Sequence, residues 1–173
     1  MATQGTPSPS TASGGQYKSN LKALGFKLDV WLPAKRPNGQ KVAELSAPKL
    51  FHVCILDKDD YIAVTQLRSC TGLALYDAAS KLAAMYHFGG QFNNEQAELE
   101  KFVGQLSAHH DELFKLQMWL FGSTKCAFAE KLLKELKNHG FSQTPSVMEI
   151  DGKTNPAAAF YLLGTGIVTN QLT

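Results

Sequence analysis

Two residues in this chain have the types and the spacing to do chemistry together: Cys70 and His87, seventeen positions apart. Residues 72–77 (GLALYD) and 81–87 (KLAAMYH) are short apolar runs of strand length. Between them Asp77 and Ser80 can brace a type I turn as its ends. If 77–80 form that loop, Tyr76 faces Lys81 and Cys70 sits directly opposite His87, with Cβ atoms roughly 4.5–5.5 Å apart. A thiol beside an imidazole supplies a nucleophile at neutral pH, because the imidazole takes the thiol proton and stabilises the thiolate as an imidazolium. Amidase, transglutaminase and thiol-protease chemistry all use these parts, so the pair alone does not choose a reaction. The structural alternative is a buried strand cysteine and a strand-end histidine satisfied by a carbonyl.

The elements that must hold this pair are mostly strands. Residues 25–32 (GFKLDVWL) alternate apolar and polar, and Pro37-Asn38-Gly39 predicts a turn returning through 41–45, a leading hairpin. Residues 50–56 and 61–67 predict a second hairpin across the polar turn Asp57-Lys58-Asp59-Asp60. After His87, Asn94 can cap a helix over 95–109, with Leu99, Phe102, Val103 and Leu106 at helical spacing. Residues 112–121 (ELFKLQMWLF) read as one apolar strand ending at Gly122. A second helix over 127–139 is stopped by Gly140, with Phe128, Leu132, Leu133 and Leu136 as its buried stripe. Phe141, residues 147–150, 158–163 and 166–169 add final strand material. Strands, helix, strand, helix, strands, without βαβ alternation, predict an α+β layered sandwich of mostly antiparallel sheet.

Composition excludes several classes. The chain has 173 residues, 44% hydrophobic and 18% charged, with a net charge of +2. That is too weak a charge to argue for nucleic acid or an anionic membrane. Apolar runs fall short of a membrane span, and no basic-then-apolar leader opens the chain, so a cytoplasmic protein is expected. Three cysteines without a CxxC pair argue against a disulfide framework or zinc site. Cys54 reads as a small core hydrophobe, and Cys126 as a packed thiol at a helix start. Asp59-Asp60 reads as a turn, and His109-His110-Asp111 is a poor ligand set because adjacent helix-end residues point about 100° apart. No metal or cofactor is expected. Residues 1–20 are Ser, Thr, Gly, Pro and Gln with few charges and predict a disordered tail ahead of a single domain over 21–173.

The stretch TQLRSCTGLALYDAASKLAAMYHF also resembles the signature of CheD-type chemoreceptor glutamine deamidases. Leu67, Ser69, Leu75, Tyr76, Asp77 and Met85 agree with it, as does the step from Cys70 to His87. Three positions depart: Arg68 replaces a usual Gly, His87-Phe88 runs into Gly89-Gly90 rather than Leu-Pro, and Thr65 lies one residue nearer the cysteine. The resemblance implies hydrolysis of a protein glutamine to glutamate and ammonia, with Cys70 as nucleophile and His87 as acid and base. It implies Thr65 or a backbone carbonyl orienting His87, with Gln66 a further possibility. Arg68 and Ser69 would form the turn around the oxyanion, and Gly89, Gly90 and Gln91 the rim that meets substrate. The implied partner is a protein glutamine, on bacterial chemoreceptors or on a host protein reached by a delivered effector, and the implied state is a monomer. The competing expectation is a catalytically inactive CheD-like module that docks a signalling protein.

Overall fold

β5 (Thr71–Tyr76) and β6 (Leu82–Phe88) are buried at every position, the mark of strands covered on both faces. The computed structural model describes residues 27–28, 37–46, 50–67, 70–88, 95–123, 126–150 and 158–172. Its other strands are β1 (Lys27–Leu28), β2 (Gln40–Leu45), β3 (Phe51–Ile55), β4 (Asp60–Leu67), β7 (Gln117–Ser123), β8 (Ser146–Ile150), β9 (Ala158–Leu163) and β10 (Val168–Leu172). They form a six-stranded sheet in the order β1-β8-β7-β5-β6-β3 and a four-stranded sheet in the order β10-β9-β4-β2. Both sheets are mixed, since β1–β8, β7–β8 and β2–β4 run parallel and the remaining pairs antiparallel.

Alternation along β5 and β6 sorts their side chains into two cores. Leu73, Leu75, Leu82, Ala84, Tyr86 and Phe88 meet the helices α1 (Glu95–His109) and α2 (Cys126–Asn138). Ala74, Tyr76, Ala83 and Met85 meet the four-stranded sheet through Leu45, Val64, Leu67 and Phe160. The result is three layers: helices, large sheet, small sheet. The expected α+β sandwich is the observed architecture.

Both helices lie where their periodicity puts them. Leu99, Phe102, Val103 and Leu106 of α1 are buried, as are Leu132, Leu133 and Leu136 of α2; the Asn94 cap and the Phe128 side chain lie outside the described set. Gly140, at φ 92°, ends α2: its N–H donates to Lys137 O and the Phe141 N–H to Leu136 O, the paired bonds of a Schellman motif.

The strand partners differ from expectation in three places. β1 and β2 do not pair with each other: β1 adds to β8 in the large sheet and β2 to β4 in the small one. The Asn38-Gly39 turn instead docks on the following loop, with the Gln40 N–H donating to Asp59 O at 3.2 Å. Likewise β3 and β4 are an arch between sheets, since β3 pairs with β6 while β4 pairs with β2 and β9. Finally, residues 113–115 form a 3₁₀ turn ahead of β7, with Phe114 46% exposed. Lys115 pairs with Glu112 across that turn, which breaks the apolar run before the strand begins.

The β5–β6 hairpin exists, in a register two residues from the expected one. The Asp77 carboxylate accepts from the Ser80 N–H (2.9 Å) and Ser80 Oγ (2.6 Å), so both residues brace the turn. The Asp77 N–H remains to close the ladder on Leu82 O at 2.9 Å. The loop is therefore 78–81, with Lys81 at φ 57°, and Tyr76 faces Ala83 rather than Lys81.

Candidate functional site

Cys70 stands one residue ahead of β5 and packs against the core between the two sheets. Gly72 pairs with His87 on β6. Residues two apart in a strand share a face, so Cys70, Gly72 and His87 all face the small sheet. The His87 N–H donates away from β5, to Leu50 O at 2.6 Å. Gly72–His87 is accordingly a non-hydrogen-bonded pair, the kind whose Cα atoms approach to about 4.5 Å. Cys70 is the diagonal neighbour of His87 rather than its direct partner. Diagonal neighbours lie ~7–8 Å apart, a gap that a thiol and an imidazole span directly or through one water.

Glycine at position 72 shapes the space between them. A Cβ there would fall 2.0 Å from Phe121 Cε2, so the Phe121 ring lies over the glycine, beside the row that holds His87. Phe121 stacks on Phe160 of the small sheet, with centroids 4.2 Å apart. On the next turn of the ladder Gly122, at φ 119°, lets β7 close on the thiol-bearing residue: a Cβ there would lie 2.3 Å from Cys70 O. A glycine in a strand often marks such a close approach, and that was the available sequence signal for Phe121 and its stack.

This wall sets the electrostatics. His87 is 4% exposed, and burial pulls its pKa below the ordinary 6.5. A lowered value favours the neutral imidazole at neutral pH, the form that can accept a proton. Cys70 is half-buried and so stands nearer the surface than His87.

The other expected site residues divide into those placed elsewhere and those outside the described set. Thr65 does not reach His87. Its hydroxyl donates to Glu44 Oε1 at 2.9 Å, and Glu44 alternates with Ala43 and Leu45, which face inward. Thr65 likewise follows Tyr61 and Ala63 on the outer face of the small sheet, so the strand alternation turns it away from the thiol. Gln66 lies in β4 and its side chain is outside the described set, as are Arg68, Ser69, Gly89, Gly90, Gln91 and the proposed tail over 1–20. Cys54 packs on the inter-sheet core, and Cys126 opens α2.

The His109-His110-Asp111 cluster has a different use. The Glu112 N–H donates to His110 Nδ1 at 2.9 Å, and His110 Nε2 lies 3.3 Å from Asp77 Oδ2, tying α1 to the hairpin turn. The Ser80 hydroxyl holds the Asp77 carboxyl below the usual carboxylate range, helped by the Ser80 and Ala79 N–H groups and by His110. Among the described residues no group of three or more His, Cys, Asp or Glu could hold a metal ion. No described helix is long and apolar enough to cross a membrane.

No family model and no curated protein matches the chain. Solved structures do. Neisseria meningitidis protein NMB0706, described under the family model DUF152, aligns over 76% of this chain and 66% of its own at 12% identity and a TM-score of 0.38. The Bacillus licheniformis hypothetical protein YfiH aligns over 62% of this chain and 45% of its own at 11% identity and a TM-score of 0.31. The chain spans less than two thirds of either. These neighbours belong to a different family from the CheD-type deamidases, and the resemblance to that family is overturned by them. Glutamine deamidation, the chemotaxis and effector roles, and the CheD-like docking module fall with it. The physical reason is that the signature is local. A cysteine ahead of one strand of a hairpin and a histidine near the end of the other reproduce it without the rest of a deamidase.

Proposed function

We propose that the protein is a thiol-dependent acyl-transfer enzyme in which Cys70 is the nucleophile and His87 its general base. The observation that carries this reading is the common inward face of Cys70 and His87 on neighbouring antiparallel segments, one diagonal step apart. Cys70 Sγ attacks an acyl carbon as its proton passes to His87, the leaving group departs with its electron pair, and water later opens the thioester with His87 again as base. Burial of His87 favours its neutral form, and this bears on the substrate. A neutral ring is a proton acceptor, and accepting the thiol proton is all that an activated ester or thioester asks of it before its leaving group departs as the anion; an amine leaves only when protonated and so needs a placed proton donor as well. Activated esters and thioesters are therefore the substrate class that fits.

Mixing the protein with p-nitrophenyl acetate tests this. A burst of one equivalent of p-nitrophenolate is expected, with the acetyl group on the peptide carrying Cys70, and it should disappear in Cys70→Ser and His87→Gln. Acetyl groups confined to lysines or to Cys54, or a burst that survives in both variants, would overturn the reading.

A further inference from the structure

We infer that His52 is the proton outlet of this site, a positioning residue that shares the proton of His87 and passes it to solvent. The inference rests on the thiol reading above and adds a third member to it. On β3, Leu50 lies opposite His87 through the bond already described, and His52 pairs with Met85. His52 and Leu50 share a face, as do Met85 and His87, so His52 is inward-facing and one diagonal step from His87. Cys70, His87 and His52 thus form a straight diagonal across β5, β6 and β3 on one face of the large sheet. Both steps run in the same sense, so the sheet twist that draws one pair together draws the other as well.

Exposure gives the line a direction. His87 is 4% exposed, whereas His52 is half-buried. Once His87 has taken the thiol proton, a cation stands in a dry site, and charge in such a site is costly unless it moves on. Among the described residues few other groups can accept it. The facing sheet presents apolar side chains to this core, among them Leu45, Val64, Leu67 and Phe160. On the large sheet, Tyr76 donates its hydroxyl to Gly164 O at 3.0 Å, and Cys54 lies a further step along β3. Lys41 and Glu44 of the adjoining β2 are paired with each other, and Glu44 points outward. The helix α1 packs on the opposite face of β3. Among the described residues, His52 is the titratable group left beside His87 on this face.

The proton balance places the step. With p-nitrophenyl acetate, Sγ–C forms, p-nitrophenolate leaves as the anion without a proton, and the thiol proton stays on His87. Before water can be deprotonated to open the thioester, His87 must lose that proton, to His52 and then to solvent. His52→Gln and His52→Ala should keep the burst, which needs only an empty His87, and lose about tenfold in steady-state turnover. Added imidazole should restore turnover in His52→Ala after subtraction of its uncatalysed hydrolysis, a response that a purely structural residue would not give. In the unaltered protein, partial modification by diethyl pyrocarbonate should reach His52 before His87 and reduce turnover while the burst persists. Turnover within twofold of the unaltered protein in both variants, or a loss that imidazole does not restore, would overturn the relay. Absence of a burst in the unaltered protein would instead fail the thiol reading itself.

Discussion

Cys70 and His87 were visible as single residues because their types and spacing are local facts. Their exact relation was not, because register depends on where the turn closes. Asp77 accepts from Ser80 and thereby moves the loop to 78–81, which turns an expected direct pair into a diagonal one. Thr65 was misread because only strand alternation shows that it points with Glu44. The lowered pKa of His87 was also beyond sequence reasoning, since its cause is burial between layers. That shift has a consequence for stability. Unfolded, His87 titrates at its ordinary value near 6.5; folded, it resists protonation. As pH falls below 6.5 the unfolded chain takes up a proton that the folded chain does not, so stability is full above 6.5 and declines below it. The slope contributed by one such site is at most about 1.4 kcal/mol per pH unit until the folded value is reached. Urea unfolding between pH 7 and pH 5 should show a smaller decline in His87→Gln than in the unaltered protein.

At the scale of elements, the helices were legible and the strand partners were not. The stripe Leu99, Phe102, Val103, Leu106 and the stop at Gly140 are set by 3.6-residue periodicity and local backbone chemistry, and both helices match. By contrast the apolar runs at 50–56 and 61–67 look alike whether they form a hairpin or an arch between sheets. Partner choice lies in contacts far along the chain, such as β3 with β6 and β4 with β9. The β5–β6 turn offers a direct check at this scale. Lys81 holds φ 57°, a region that is costly for any residue with a Cβ. Lys81→Gly should therefore stabilise the protein by about 0.5–1 kcal/mol, seen as a higher urea midpoint. An unchanged or lower midpoint would place the loop in another conformation.

For the whole molecule, the site depends on the two sheets meeting. Phe160 of the small sheet stacks on Phe121, whose ring covers Gly72 beside His87. Phe160→Ala should cost about 3–5 kcal/mol by opening a cavity between the sheets. It should also wet His87, bringing its titration, followed by imidazole NMR resonances, back toward the ordinary value. The layered α+β architecture was readable from element order, but which face of the large sheet carries the Cys70–His87 pair was not. The two faces of β5 and β6 are equally apolar, and only their covers, helices on one side and a second sheet on the other, distinguish them.

The most direct measurement is site-resolved alkylation: limiting iodoacetamide at pH 7, with peptide mass spectrometry reading Cys54, Cys70 and Cys126 separately. If His87 serves Cys70 as base, Cys70 is labelled first, and its rate drops at least about tenfold in His87→Gln while the other two cysteines keep theirs. Labelling of Cys70 no faster than Cys54, or a rate indifferent to His87→Gln, would contradict a catalytic thiol–imidazole pair.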